Sequence, residues 1–297
     1  MFSNRDLSNF CHLLKKGGNI LQIHYNGLMQ KIYFDKNFSP AATLECGQVF
    51  RYKKEGDCYT VHALDKECKI YRDGDGYYML SDDEKFFKNY FDFDGKYDII
   101  IDNLSSDENL REMVEFGKGI RILNQNPFEM IISFIISQNN NIPRIKTIIE
   151  RLCASLGRDM GTYFAFPTLE DMAACDEEFY FKLGTGYRAN YLESVSKALL
   201  NVDLSSLFSL DTESLRTELL KLKGVGRKVA DCILLFGFHR LDVFPVDTWI
   251  KKIFSAKMGD ISADEMSKRL VDKYGDKSGL VQQYLYYYAR ENKIDAV

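Results

Sequence analysis

The chain has 297 residues, of which 45% are hydrophobic and 28% are charged, a balance typical of a soluble globular protein long enough for two domains. Its formal net charge of −4 excludes a uniformly basic surface. Acidic residues outnumber basic ones among residues 1–116, whereas the two are nearly balanced in residues 117–297. The second part therefore stays compatible with nucleic-acid binding through local donors and helix ends.

The chain carries no pattern that predicts secretion or membrane insertion. Its longest apolar run, around residues 130–136, is far too short to span a bilayer, and the N-terminus lacks a signal-peptide layout. Seven cysteines, without paired spacing, fit a reducing compartment and free thiols. The four histidines lack metal-ligand spacing. We therefore expect an intracellular, cytoplasmic protein with no membrane partner and no metal site.

A short, strand-like periodicity predicts an antiparallel sheet in the first part of the chain. Turn signals around residues 55–57 and 73–76 separate the predicted strands. These strands cover residues 21–25, 31–34, 48–52, 58–64, 68–72 and 77–80. A short helix is expected at residues 83–91, while residues 97–101 are ambiguous.

From about residue 110 onward the periodicity is helical. Pro127 fits the first turn of a helix, and residues 142–156 form an amphipathic pattern. The predicted helices cover residues 128–137, 142–156, 187–200, 211–222, 227–237, 247–257, 263–274 and 278–292. Residues 102–109 are polar and loop-like. We therefore predict an α+β fold, with an antiparallel β domain and flanking helices at residues 1–108 and a helical domain at residues 109–297.

The segment Gly224-Val225-Gly226 separates two predicted helices. Its glycines permit positive φ and a close approach of the backbone to a partner. The first amides of the helix that follows have no intrahelical acceptor, so this helix start can bind an anion. The chain has neither a Walker lysine signature nor a GxGxxG motif after a strand. A nucleic-acid phosphate is therefore the expected anion, rather than a nucleotide.

The hairpin with the residues that follow it, together with Pro245-Val246-Asp247, resembles the 8-oxoguanine DNA glycosylases of the helix-hairpin-helix superfamily. That family couples a lysine at the start of the second helix to an aspartate after a Pro-Val-Asp loop. Lys228 and Asp247 stand at these positions. The resemblance implies a twisted antiparallel sheet domain, similar to that of the TATA-binding protein, followed by an all-helical glycosylase domain.

The resemblance assigns the catalytic roles to Lys228 and Asp247. Lysine can form a Schiff base with a sugar carbon when part of it is neutral, so Lys228 would attack C1′ of the damaged nucleotide and displace the base. Asp247 would stabilise the positive charge that develops on the sugar. The residues alone also allow simpler roles. Lys228 could grip a phosphate from the surface, and Asp247 could cap a helix.

Four further positions match the base pocket of the family. Cys232 lies one helical turn after Lys228, and the resemblance places the flipped purine between Cys232 and the ring of Tyr286. Gln282 would read the base edge. The carbonyl of Gly47, in a Gly-Gln-Val-Phe-Arg segment, would accept the proton that 8-oxoguanine carries on N7. Taken alone, Cys232 and Tyr286 also fit core positions, and Gly47 fits the start of a strand.

Two turns match the loops that enter the DNA at the gap left by the flipped base. Asn139 and Arg144 belong to the first turn, and Tyr187 and Arg188 belong to the second. The resemblance implies that Tyr187 inserts as a wedge and that Asn139, Arg144 and Arg188 read the base opposite. The asparagines of the first turn also fit ordinary turn and capping roles. Trp249 departs from the family, because animal members have a phosphate-contacting histidine near this position.

The resemblance therefore implies a monomeric, bifunctional enzyme that excises 8-oxoguanine from double-stranded DNA and then cleaves the strand by β-elimination. It implies no cofactor and no catalytic metal, and Cys232 is the last cysteine, so the four-cysteine iron–sulfur site of endonuclease III types cannot form. Two alternatives stay open: a non-enzymatic helix-hairpin-helix DNA-binding module, and a glycosylase for another damaged base. Lys228 argues against the second alternative, since monofunctional members lack this lysine.

Overall fold

The computed structural model describes residues 30–293, together with two short strands nearer the N-terminus. These are β1 (Lys15–Lys16) and β2 (Asn19–Ile20), which pair antiparallel. The predicted strand at residues 21–25 lies outside the described residues. None of the helices in the described part of the chain is long and apolar enough to cross a membrane.

An antiparallel sheet of five strands follows, in the order β3-β7-β6-β5-β4. The strands are β3 (Ile32–Tyr33), β4 (Tyr52–Glu55), β5 (Cys58–Ala63), β6 (Lys66–Asp73) and β7 (Gly76–Ser81). Ile70 pairs with both Tyr59 and Met79, and all three side chains are buried. Alternate residues thus form one apolar face, which packs against helix α2 (Glu84–Tyr90). The predicted sheet is confirmed in four of its six strands.

The strand predicted at residues 48–52 is wrong, because β4 begins only at Tyr52. Gln48 is buried, and its side-chain amide donates to the carbonyl oxygens of Thr43 (2.9 Å) and Arg121 (2.7 Å) and accepts from the amide of Leu123 (2.9 Å). Its own carbonyl accepts from Nε2 of Gln125 (2.8 Å). The bond from Gln125 takes the backbone carbonyl that a neighbouring strand would otherwise use, so the segment stays irregular.

The remaining helices fill the second part of the chain. They are α3 (Tyr97–Ser105), α4 (Arg111–Phe116), α5 (Pro127–Ser137), α6 (Ile142–Leu156), α7 (Leu169–Ala173), α8 (Glu177–Lys182), α9 (Ala189–Leu199), α10 (Thr212–Leu220), α11 (Arg227–Gly237), α12 (Thr248–Met258), α13 (Ala263–Tyr274) and α14 (Ser278–Glu291), and helix α1 (Pro40–Leu44) precedes them in the sheet part. The ambiguous residues 97–101 are helical. Tyr187 and Arg188, predicted as the start of a helix at residues 187–200, belong instead to a separate 3₁₀ turn (Gly186–Arg188) before α9.

Helix α5 is the centre of the larger core. Its side chains are buried all around the helix except at Ser137 and Pro127, as expected for a helix enclosed by others. Phe134 of α5 stacks on Phe236 of α11, with ring centroids 5.5 Å apart. Phe236 lies near the C-terminal end of α11, so this contact holds the helix that carries Lys228 against α5.

The larger core also contains residues that precede the predicted boundary. Ala42, Cys46 and Phe50 belong to it, as do Ile101 and Leu104 of α3. The segment at residues 46–50 therefore leaves the sheet and packs on the helical part. The division at residues 108 and 109 stays a prediction, and the helices just before it pack with those after it.

Candidate active site

The structure brings the predicted catalytic and base-pocket residues into one place. Lys228 is the second residue of α11, and Asp247 directly precedes α12. Both line an inner cavity of about 60 Å³ and the wider cleft of about 680 Å³ in front of it. The inner cavity is lined by Gly47, Phe134, Lys228, Cys232, Phe236, Pro245, Asp247, Gln282, Gln283 and Tyr286.

Lys228 is surrounded by protein but open to the solvent in the cleft, with its Nζ 5.8 Å from the centre of the Phe134 ring. Desolvation by burial is the largest single influence on the pKa of Lys228 and lowers it. Negative charge on Cys232, Asp247 and Tyr286 together outweighs the desolvation, so the pKa is raised. Burial raises the pKa of both the Cys232 thiol and the Tyr286 phenol. Because the pKa of Lys228 is raised, its amine is an ammonium in the free protein at neutral pH.

Asp247 has two contacts that bear on its role. Its Oδ1 accepts a hydrogen bond from the amide of Ile250 (2.9 Å), so the capping role is confirmed. Burial raises the pKa of its carboxyl group, while the bond from Ile250 and the charge of Lys228 act in the opposite direction. A carboxyl group that caps a helix and also faces Lys228 across the cavity can carry both roles.

Gly47 and Tyr286 form one wall of the inner cavity. Gly47 has φ +85, a conformation that favours glycine, and a Cβ added there would lie 3.2 Å from Cε1 of Tyr286. Gly47 is not in a strand, so its interpretation as a strand-entry residue is wrong. The Arg290 guanidinium lies 5.5 Å from the centre of the Tyr286 ring and donates to the carbonyl of Glu45. Sequence patterns gave no signal for Arg290.

The opposite end of the cavity carries two adjacent glutamines. Gln282 and Gln283 are both buried, and Nε2 of Gln283 donates to Oε1 of Gln282 (3.0 Å). Cys232 is also buried in the cavity wall. Gln283 was not predicted as a site residue, although a pair of amides on an apolar helix face is a signal that could have identified it.

The two predicted gap loops lie side by side. Asn139 is exposed and has φ +46, which asparagine tolerates better than most residues. Tyr187 is 53% exposed, and its ring meets the edge of Tyr191 with centroids 5.8 Å apart. Arg144 is exposed and donates to the carbonyl of Gly184 (3.3 Å). Asn139, Tyr187 and Arg144 therefore lie at a surface that DNA could reach.

Arg188 differs from the other gap residues because it is buried. Its guanidinium donates to the carbonyl oxygens of Gln138 (2.8 Å), Thr185 (3.0 Å) and Asn139 (3.0 Å). These bonds join the Tyr187 turn to the asparagine turn. In the free protein Arg188 therefore holds the two loops together, and its predicted contact with the opposite base stays a prediction.

In the hairpin, only the first glycine has the positive φ that was expected. Gly224 has φ +82, and a Cβ there would lie 2.4 Å from the ring of Tyr191. Gly226 has φ −92 and caps α11 without a side chain, and a Cβ at this position would meet nothing within 4 Å. Val225 is buried and donates from its amide to the carbonyl of Leu222 (3.0 Å). The open side of the hairpin is therefore at Gly226.

Trp249 lines the outer cleft and is half-buried. Nζ of Lys252 lies 5.0 Å from the centre of its ring. Among the described residues, no group of three or more His, Cys, Asp or Glu side chains could hold a metal ion. The chemistry available at the cleft is thus that of an amine, a carboxylate, a thiol and several amides.

Comparison with known families covers most of the chain. Residues 31–131 match the family model for the 8-oxoguanine DNA glycosylase N-terminal domain. Residues 132–274 match the family model for HhH-GPD superfamily base excision DNA repair proteins.

Individual relatives agree with these matches. The 8-oxoguanine glycosylase/lyase of Clostridium acetobutylicum, solved with DNA containing cytosine opposite 8-oxoguanine, superposes with a TM-score of 0.83 at 37% identity, covering 87% of this chain and 93% of that one. The "Probable N-glycosylase/DNA lyase" of Methanothermobacter thermautotrophicus is 34% identical over 67% of this chain and 73% of its own. The N-glycosylase/DNA lyase of Saccharomyces cerevisiae is 38% identical over 46% of this chain but only 41% of its own.

Proposed function

Because the chain belongs to the 8-oxoguanine DNA glycosylases of the HhH-GPD superfamily, we propose that it removes 8-oxoguanine from double-stranded DNA by base excision and then cleaves the strand as a lyase. The observation that supports the proposal best is the cavity in which Lys228 and Asp247 meet Gly47, Cys232, Gln282 and Tyr286. A DNA-binding module has no need for an amine and a carboxylate that face one cavity.

The proposed chemistry begins with the amine of Lys228. Its lone pair forms a bond to C1′ of the flipped nucleotide while the bond from C1′ to N9 of the base breaks, and the base leaves with the bonding electrons and takes up a proton. Opening of the sugar ring gives a Schiff base between Lys228 and C1′. Loss of a proton from C2′ then expels the 3′ phosphate. Asp247 stabilises the positive charge on the sugar during the first step.

The lysine must lose its proton before it can attack. In the free protein the pKa of Lys228 is raised, so the amine is mostly protonated there. A base that fills the cavity excludes the water that now reaches Lys228, and this desolvation favours the neutral amine. Asp247 is the neighbouring carboxylate and can receive the proton. Substrate binding thus prepares the nucleophile.

The base must leave the duplex to reach this cavity, since its edge and C1′ are not accessible in the stack. The inner cavity shares Gly47, Lys228 and Tyr286 with the wider cleft, from which a flipped base would enter. We propose that the base enters between Tyr286 and Cys232, which both line the inner cavity. The carbonyl of Gly47 then accepts the N7 proton, which guanine lacks.

Borohydride trapping tests the proposal. The reductant converts a Schiff base into a stable amine, so the protein should become covalently attached to DNA that contains 8-oxoguanine. Lys228→Gln should keep duplex binding but lose both excision and trapping. Lys223→Gln is the matched control, because Lys223 is an exposed lysine beside the hairpin and its loss should leave trapping intact.

Two results would contradict the proposal. Trapping or turnover by Lys228→Gln would show that another group is the nucleophile. An absence of excision and trapping by the wild-type protein, with intact binding, would support the module that only binds DNA. As a repair enzyme the protein acts on the chromosome, and we propose that it works as a monomer that associates with the nucleoid while acting.

A further inference from the structure

One side chain of the inner cavity wall carries a buried polar atom whose role is still unassigned. Oε1 of Gln283 is buried, and no hydrogen-bond partner for it is found within the described part of the chain. Gln283 lines the inner cavity together with Gln282, Lys228 and Cys232. A buried carbonyl without a donor lowers stability, so an unpaired oxygen at a cavity wall indicates a group that meets its partner only when the cavity is filled.

The neighbouring amide limits what the pair can offer. Nε2 of Gln283 donates to Oε1 of Gln282 at 3.0 Å, so the carbonyl oxygen of Gln282 is already engaged by a donor. Each glutamine has one acceptor and one donor group. What the pair leaves for a ligand is therefore the NH₂ of Gln282 as a donor and, beside it, the carbonyl oxygen of Gln283 as an acceptor.

We propose that Gln283 is a second reader of the flipped base, which accepts a hydrogen bond from the Watson–Crick edge while orienting the amide of Gln282. A guanine-type edge offers the O6 acceptor next to the N1–H and 2-amino donors, which complements this pair. An adenine-type edge offers an amino donor next to an N1 acceptor, and so places the wrong group against each amide. The inference deepens the proposed function and rests on its assignment of the cavity as the base pocket.

The test replaces Gln283 with methionine, which is unbranched, of similar length and has no amide. Binding is measured in a Lys228→Met background, where no excision occurs and no additional amide enters the cavity. Dissociation constants are determined for duplexes that carry 8-oxoguanine, 8-oxoadenine or no damage. Gln283→Met should reduce the preference for 8-oxoguanine over 8-oxoadenine about tenfold, as expected for one lost hydrogen bond, and should leave binding of undamaged duplex unchanged.

Tyr284→Phe is the matched control on the same helix. The hydroxyl of Tyr284 is also buried and has no partner among the described residues, but Tyr284 does not line the inner cavity. Its removal should leave the preference between the two damaged bases unchanged. Tyr284→Phe removes only an unpaired hydroxyl, whereas Gln283→Met also removes the donor to Oε1 of Gln282. Thermal unfolding checks that both variants are folded.

Three results would overturn the inference: an equal loss of affinity for both damaged duplexes in Gln283→Met, an unchanged preference, or the same loss in Tyr284→Phe. If Gln283→Met does not fold, the parent protein is tested with 8-oxoinosine, which lacks the 2-amino donor. Binding of 8-oxoinosine should be weaker than that of 8-oxoguanine, and equal binding would overturn the inference. Should the parent show no preference for 8-oxoguanine over undamaged duplex, the proposed function itself would fail, which is a distinguishable result.

Discussion

Asp247 combines a helix cap with a position in the cavity of the proposed active site. Its Oδ1 caps α12 through the amide of Ile250, and its carboxyl group faces the cavity that contains Lys228. Asparagine is as good a helix cap as aspartate, but it is uncharged. A change of this residue to asparagine therefore removes the charge and keeps the cap, which separates the two roles.

Asp247→Asn should lower the single-turnover excision rate by roughly a hundredfold, in the range measured when one group that stabilises transition-state charge is removed. Affinity for the 8-oxoguanine duplex should change little, because the positive charge on the sugar develops only in the transition state. Thermal unfolding should be unchanged. If the rate loss merely followed a loss of affinity, the residue would be only a cap.

The pH dependence of excision follows from the same carboxyl group. Burial raises the pKa of Asp247 above the usual aspartate value of about 3.9. A carboxyl group with a raised pKa becomes protonated at a higher pH than an ordinary one. As the pH is lowered, the excision rate should therefore begin to fall at a pH above the usual pKa of aspartate. The Asp247→Asn variant should lack this acid limb. An identical limb in the variant would assign it to another group.

Arg144 and Arg188 are both arginines of the predicted gap loops, but they differ in exposure and in the number of hydrogen bonds that their guanidinium groups make. Arg144 is exposed, with one long bond to Gly184, whereas Arg188 is buried with its donors on three carbonyl groups. Guanidinium donors suit cytosine, whose O2 and N3 accept once its partner is flipped out. We therefore expect Arg144, rather than Arg188, to contact the base opposite the lesion.

The wild-type protein should excise 8-oxoguanine faster opposite cytosine than opposite adenine. Arg144→Met should reduce this preference by roughly tenfold, the effect of about 1.4 kcal/mol of lost contacts. Arg188→Met should instead lower the unfolding temperature, since it leaves buried carbonyl groups unpaired. Single-turnover rates with all four opposite bases provide the measurement. Equal wild-type rates opposite cytosine and adenine would rule out opposite-base reading.

At the scale of elements, the sequence predicts the long helices well. In α5 and α6, a proline in the first turn follows an asparagine that caps the helix, and both signals can be recognised without a structure. The hairpin is also recognisable from sequence, and the family resemblance singled out Lys228 and Asp247, which the structure brings to one cavity. Long amphipathic segments and local motifs carry their own information.

Elements that depend on distant partners could not be predicted. Residues 48–52 have strand-like composition, yet Gln48 bonds to residues far along the chain near Arg121 and Leu123. Helices α7 and α8 were missed because they have only five and six residues, too few for a periodic pattern. The unpaired oxygen of Gln283 was also invisible, since a missing hydrogen bond is a property of the packed cavity.

The hairpin offers a test in which its two glycines act as controls for each other. The Cβ of Gly226→Ala would lie in open space at the start of α11, so this variant should fold normally. It should weaken binding of damaged and undamaged duplexes alike by several-fold, because phosphate contacts carry no sequence information. Gly224→Ala should lower the unfolding temperature, since its Cβ would meet the Tyr191 ring and its φ is positive. Loss of only the 8-oxoguanine preference in Gly226→Ala would place the hairpin in the base pocket.

At the scale of the whole molecule, the base pocket depends on how the sheet part and the helical part are joined. Gly47 comes from the irregular segment that follows α1, whereas Lys228 comes from α11. Arg51, at the end of that segment, is buried, and its Nη1 lies 3.5 Å from Oε1 of Glu129 in α5. Its guanidinium also donates to the carbonyls of Leu64 (3.0 Å) and Phe164 (2.6 Å). This cluster links the segment that carries Gly47 to helix α5.

Glu129→Ala should destabilise the protein by on the order of 3 kcal/mol, because it leaves the buried Arg51 without its counter-charge and removes the acceptor of the Leu64 amide (3.0 Å). Asp65→Ala is the control, since Asp65 pairs with Arg158 at 2.9 Å but both side chains are largely exposed, and such pairs contribute less than about 1 kcal/mol. Denaturant unfolding measures both changes.

The two variants also separate stability from pocket geometry. If Arg51 and Glu129 keep Gly47 correctly positioned relative to Lys228, Glu129→Ala should slow excision of 8-oxoguanine even at a temperature where the variant is fully folded. The reason is that a small displacement of a positioning group lowers the rate. Asp65→Ala should excise at the wild-type rate. A folded Glu129→Ala protein with normal excision would mean that the pocket is positioned by the Gln48 hydrogen bonds alone, and that the ion pair serves only stability.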